Sequence, residues 1–100
     1  MNVFLIASGY GITIEFGDLG DWGCTELRSE YDPTGPTIRI NTRAILKRKR
    51  GEIAAFIRFA VAHEIYHHHE HRRRFAMLRD RAQRERAADD FAHELLHATP

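Results

Sequence analysis

The chain has 100 residues, of which 43% are hydrophobic and 29% charged, and its formal net charge is +1. That suffices for one domain spanning residues 1–100 with a modest core, and a chain so small is expected to draw stability from a metal or a partner. The single cysteine, Cys24, excludes an internal disulfide and a cysteine-rich zinc knuckle, and fits a reducing, cytoplasmic setting.

Residues 3–7 (Val-Phe-Leu-Ile-Ala) are β-rich, and Ser8-Gly9-Tyr10-Gly11 is turn chemistry. Ile12, Ile14 and Phe16 then alternate with Thr13 and Glu15, so a hairpin of two strands is expected. The first run is too short to span a bilayer and lacks a basic leader, and no membrane insertion is expected. Residues 17–23 form a glycine- and aspartate-rich loop in which Trp22 is expected to lie over the core. A strand over 24–31 is expected to close at the turn Asp32-Pro33-Thr34-Gly35-Pro36, and Thr37 to Asn41 follows as a short strand. Asn41 and Thr42 are suited to cap a short helix over 43–49, with Gly51 as punctuation before a long helix over 52–71.

That long helix carries His63-Glu64-Ile65-Tyr66-His67, an HExxH motif. Two histidines four residues apart point their rings at one spot, which is half of a zinc site. A catalytic zinc also needs a carboxylate near its open position to take a proton from water, and Glu64 is placed for that role as general base. A second HExxH, His93-Glu94-Leu95-Leu96-His97, lies near the end of the sequence. Helix phase separates the two. At about 100° per residue, His63 and His67 fall inside the apolar stripe of Ile53, Phe56, Phe59 and Ala60. His93 and His97 fall about 140° and 180° from Ala88, opposite the stripe of their own helix, and are expected on the surface. On that same helix Glu85 lies about 60° from Ala88, turned inward, where a carboxylate needs a cation; it becomes the third ligand. The alternative is a solvated carboxylate paired with a neighbouring arginine. Asp89, one turn on, is set to accept a hydrogen bond from a ligand histidine. Residues 75–84 alternate apolar and basic positions and are expected to be helical, leading into this helix.

The paired motifs resemble the ImmA/IrrE metallopeptidase family, a group of gluzincin-like enzymes that pair HE(L/I)GH with a segment of the form ERxA(N/D)xFAxELLMP. Here the counterparts are His63 to His67 and Glu85-Arg86-Ala87-Ala88-Asp89-Asp90-Phe91-Ala92-His93-Glu94-Leu95-Leu96, and the resemblance runs from about Ile38 to Pro100. Tyr66 stands where the family usually has glycine and is expected to bear on the packing beneath the metal. The resemblance implies one zinc ion on His63, His67 and Glu85. It also implies a minimal zincin-like α+β domain, a small antiparallel or mixed sheet packed against the HExxH helix and a C-terminal helix. The implied activity is site-specific cleavage of a protein substrate, in family members a helix-turn-helix transcriptional repressor. By analogy with peptidases of this class, Thr37, Ile38, Arg39, Ile40 and Asn41 are expected to form the edge strand that pairs with extended substrate.

Charge is unevenly spread, with thirteen bases against five acids between residues 43 and 86, including Lys47-Arg48-Lys49-Arg50 and Arg72-Arg73-Arg74. Such runs usually form a solvated face. They also leave open a zinc-stabilised interaction or nucleic-acid-binding module without turnover, although no nucleic-acid-binding motif accompanies the charge and Glu64 would then have no task. His68, His69 and His71 add an imidazole-rich patch, from which His71, about 80° from His63, is a competing ligand.

Overall fold

The computed structural model describes residues 2–21 and 26–98. The order of elements is α1 (Val3–Gly9), β1 (Thr13–Gly17), β2 (Ser29–Asp32), β3 (Thr37–Asn41), α2 (Thr42–Ile45), a 3-10 turn at Arg50–Glu52, α3 (Ile53–His71) and α4 (Arg81–Leu96). The architecture is α+β, as expected, with a three-stranded mixed sheet in the order β1-β3-β2. β3 pairs parallel with β1 (Ile14 opposite Ile38) and antiparallel with β2 (Tyr31 opposite Ile38).

The first element departs from expectation: residues 3–7 are helical, so they form no hairpin with β1. The Asn2 side chain accepts hydrogen bonds from the backbone N–H of Phe4 and Leu5 at 2.9 and 3.3 Å, which satisfies two orphan donors of a first turn. Val3 and Ala7 are fully buried while Phe4 and Leu5 face solvent. Burial along the run thus follows the i, i+4 period of a helix, and the cap outweighs β propensity. Ile12 and Ile14 point inward from β1, but Phe16 is half-exposed at the sheet margin.

β3 is the hub. Ile38 and Ile40 are fully buried, each contributing about 1.5–3 kcal/mol of apolar burial, and both edges of the strand are hydrogen-bonded. Asn41 ends it with a buried amide that is fully satisfied. Its Oδ1 accepts from Leu19 N and Arg43 N at 3.0 and 3.1 Å, and its Nδ2 donates to Gly20 O and Leu27 O at 3.0 and 2.7 Å. One side chain therefore caps α2 and gathers two loops. α2 itself is shorter than the 43–49 expected, ending at Ile45. The strand expected over 24–31 is regular only from Ser29; Trp22 and Cys24 lie outside the described residues.

α3 is wrapped on several sides. From Ala60 to Glu70 only His63 and His67 escape full burial, because the sheet, α1 and α4 all pack against this helix. It stops in a Schellman arrangement: Arg73 N–H donates to Glu70 O at 3.0 Å, and Arg74 N–H donates to His69 O at 2.9 Å. The left-handed position of that motif is filled by Arg73 (φ 59°) where glycine would be about 1 kcal/mol easier. Residues 72–80 then run as an exposed connection, so of the helix expected over 75–84 only residues 81–84 form, as the first turn of α4. The alternating pattern there has no buried face to stabilise a helix. α4 begins only where Asp80 accepts from Ala82 N at 3.0 Å, and it packs back on α3.

Candidate metal centre

One turn of α3 presents His63 and His67 side by side, and α4 brings Glu85 against both. His63 Nε2 lies 2.8 Å from Glu85 Oε2, His67 Nε2 lies 3.3 Å from Glu85 Oε1, and the two Nε2 atoms are 3.3 Å apart. Tetrahedral zinc with ligands at about 2.0–2.1 Å sets its ligand atoms roughly 3.3–3.4 Å from one another. The donor set, two imidazoles and a carboxylate, fits that ion, and these three residues form the one group among the described residues whose ligand atoms converge for a metal, all within 4.8 Å.

The outward ring nitrogens are held too. His63 Nδ1 donates to Asp89 Oδ1 at 2.8 Å, the hydrogen bond expected of Asp89. His67 Nδ1 donates to Glu70 Oε1 at 2.6 Å. Each bond holds its ring through Nδ1 and so would leave Nε2, which faces Glu85, as the nitrogen offered to a cation. Glu70 is fully buried and also takes two hydrogen bonds at 3.2 Å from the Arg84 guanidinium. Burial pushes its carboxyl up, but Arg84 and His67 together hold it below the usual carboxylate range.

The electrostatics answer to the same convergence. Burial disfavours a charged His63, yet the hydrogen bond to Glu85 and the charges of Glu64 and Asp89 overcome it and raise its pKa to about 9. Hydrogen bonds from His63 and His67 hold the Glu85 carboxyl far below its ordinary value. Glu64 is 4% exposed and receives a hydrogen bond of 2.6 Å from Ser29 Oγ on β2. Its burial raises its pKa, against the opposing pull of His63 and Ser29.

A cleft of about 1080 Å³ opens over these groups, floored by His63, Glu64 and His67, with Ser29 and Tyr31 of β2 on one side and Glu85 and Asp89 of α4 on the other. The two sides meet α3 through a ladder: Ser29 bonds Glu64, and two residues on Tyr31 Oη donates at 2.7 Å to His68 Nδ1. Burial, followed by the charges of Arg72 and His69, pushes His68 down to about 4, so its ring is neutral.

Other expectations resolve plainly. His93 and His97 are exposed, stacked on each other with ring centres 6.2 Å apart, and the His93 ring also lies 4.9 Å from that of Phe59 on α3. His71 lines the cleft but lies outside the converging group. Tyr66 packs with its ring centre 5.3 Å from that of Phe75 and 5.9 Å from that of Phe91, and it also meets the His67 ring edge-on at 5.7 Å. The edge-strand role expected of Thr37, Ile38, Arg39, Ile40 and Asn41 is wrong: β3 is the central strand, with no free edge and both isoleucines sealed in the core. Sequence reading missed Glu70, Ser29 and Arg84. Glu70 stands three residues after His67, a same-face spacing that carries the signal; Ser29 is brought in only by the sheet.

No protein-family model, curated protein or solved structure matches the chain.

Proposed function

We propose that the protein is a zinc-dependent endopeptidase of the ImmA/IrrE type with a zincin-like catalytic core, acting in the cytoplasm on a regulatory protein such as a helix-turn-helix repressor. The observation that carries this reading is the convergence of ligand atoms of His63, His67 and Glu85, all within 4.8 Å of one another, beside the buried Glu64 at the floor of an open cleft. When bound, zinc supplies Lewis acidity that polarises a carbonyl and makes an attacking water more acidic.

The remaining work falls to this chain's own side chains. Glu64 takes the proton from the attacking water and passes it to the leaving amine. Ser29 holds that carboxylate in one orientation through its 2.6 Å hydrogen bond. Asp89 and Glu70 fix the histidine rings, so the ligand atoms need not reorganise during turnover. β2 is an edge strand that lines the cleft, and its open edge, rather than β3, takes an extended peptide by strand addition. No helix among the described residues is long and apolar enough to cross a membrane.

The test is elemental analysis of purified wild type, Glu85→Ala and His93→Ala/His97→Ala. About one zinc per chain in the wild type and the histidine variant, lost only in Glu85→Ala, supports the site. Zinc that follows His93 and His97 instead, or no zinc in the wild type, overturns it. Glu64→Gln then separates chemistry from binding, since it should keep zinc and lose all cleavage.

A further inference from the structure

The metal cleft does not stop at His67. It continues to His71 and Met77, and both of these residues also line a second hollow of about 420 Å³. The wall of that hollow is the connection after α3, with Arg73, Arg74, Phe75 and Ala76 facing it. Glu70 reaches its base but is already engaged by His67 and Arg84. Arg74 leans on the Tyr10 ring, 5.1 Å from its centre. Arg72, Arg73, Arg79 and Arg81 are exposed and form no ion pair among the described residues. Arg81 lines the cleft itself.

A basic run is ordinarily a solvated face, and two observations set this one apart. Phe75 and Met77, 36% and 56% exposed, interleave with the arginines and line the same concavity. Arg73 occupies a left-handed backbone position that glycine fills more easily, so an arginine stands there against local preference.

Resting on the peptidase reading above, we propose that this hollow is a substrate subsite that selects an acidic side chain next to an apolar one, so that the protein segment cleaved is acidic and apolar rather than basic. Guanidinium groups bind carboxylates through paired hydrogen bonds, and free arginines at the mouth of a cleft draw such groups in. The hollow begins one helical turn past His67, about 6 Å, so the selected residue lies about two extended residues from the bond opposite Glu64. A nucleic acid fits the surface less well. Away from the hollow the cleft lining is of mixed sign, with Glu26, Glu30, Glu85 and Asp89 beside Arg28 and Arg84, so a chain carrying a charge at every unit meets both signs, whereas a peptide places its charge only at the basic end.

The experiment uses zinc-loaded Glu64→Gln protein, which cannot turn over, and fluorescence anisotropy with three labelled probes. These are a peptide of about ten residues alternating Glu and Leu on one side of a central Gly-Phe, the same peptide with Lys for Glu, and a duplex DNA of about 20 base pairs. The acidic peptide should bind at least about tenfold more tightly than the lysine peptide, and less so as salt rises from about 50 to about 200 mM. Arg73→Gly relieves the backbone and so keeps the fold, and in the Glu64→Gln background it should reduce that preference by at least about threefold. Arg73→Glu/Arg81→Glu should reverse it. Equal binding of the two peptides, preference for the duplex, or a preference untouched by both arginine changes overturns the proposal. Zinc content measured on the same Glu64→Gln preparation separates the two ideas: no zinc with intact acidic selection removes the peptidase reading alone, and bound zinc without selection removes the subsite alone.

Discussion

Glu70→Gln should damage the metal centre more than Asp89→Asn, although each change removes one carboxylate behind one ligand histidine. The Glu70 side chain is 1% exposed and serves His67 Nδ1 at 2.6 Å and the Arg84 guanidinium, whereas Asp89 serves only His63 Nδ1, at 2.8 Å, and its side chain is 50% exposed. Glutamine keeps the shape but turns charge-assisted bonds into neutral ones, at about 1 kcal/mol each, and strands a guanidinium that is 31% exposed. Breaking a buried pair outright costs about 3–5 kcal/mol; screening at Arg84 brings this nearer 2–3 kcal/mol in stability. In zinc affinity the loss should be about 10- to 100-fold for Glu70→Gln, and water standing in for half-exposed Asp89 should keep its loss below about tenfold. Competition with a chromophoric zinc chelator near neutral pH measures both. Equal losses, a larger loss for Asp89→Asn, or changes under about twofold in both would refute the idea that burial of these carboxylates sets the grip on the ligand histidines.

Ser29→Ala should leave zinc affinity within about twofold while lowering stability by about 1 kcal/mol, since it removes one hydrogen bond from the buried Glu64; a loss of zinc would move Ser29 into the metal site. Saturating zinc at about 100 times its dissociation constant should add about 2.7 kcal/mol, raising the midpoint of thermal unfolding by roughly 10 °C or more, and a chelator should reverse this. His68 sits near 4 when folded and near 6.5 when unfolded, so below about pH 6.5 the unfolded chain takes up a proton that the native one refuses. Native stability is therefore lost as pH falls through that window, by about 2 kcal/mol between about pH 7 and pH 5. Urea unfolding of chelated protein should show that wild type loses about 2 kcal/mol more than His68→Gln over this window; equal slopes would sink the assignment. Arg73→Gly should stabilise the chain by about 1 kcal/mol in the same assay.

The metal residues were legible because they sit on long helices with a strong period. His63, His67, Glu85 and Asp89 needed only rotation about two axes, and the same rotation set His93 and His97 outside. Residues 3–7 were misread because a short apolar run carries no period of its own, and the deciding residue, Asn2, precedes it. Thr37 to Asn41 was recognised as a strand but given the wrong place, since strand order depends on β1 crossing to pair in parallel, a long-range choice that local pattern does not encode. Ser29 is near Glu64 only through that order. Residues 75–80 alternate like an element but meet no surface able to bury one face of a helix, which starts only at Arg81.

The two helices of the metal centre exchange their supports: α4 lends Asp89 to a histidine of α3, and α3 lends Glu70 to an arginine of α4. Between them runs an exposed connection, residues 72–80. Chain length and chain phase thus obey different laws here. Doubling the connection adds only about 0.6 kcal/mol of closure entropy, whereas one residue inserted inside α4 ahead of Glu85 turns the helix by about 100° and withdraws Glu85 and Asp89 together. Variation in such a protein is free to accumulate as loop, where it redraws the basic hollow, while the rotational setting of α4 stays locked.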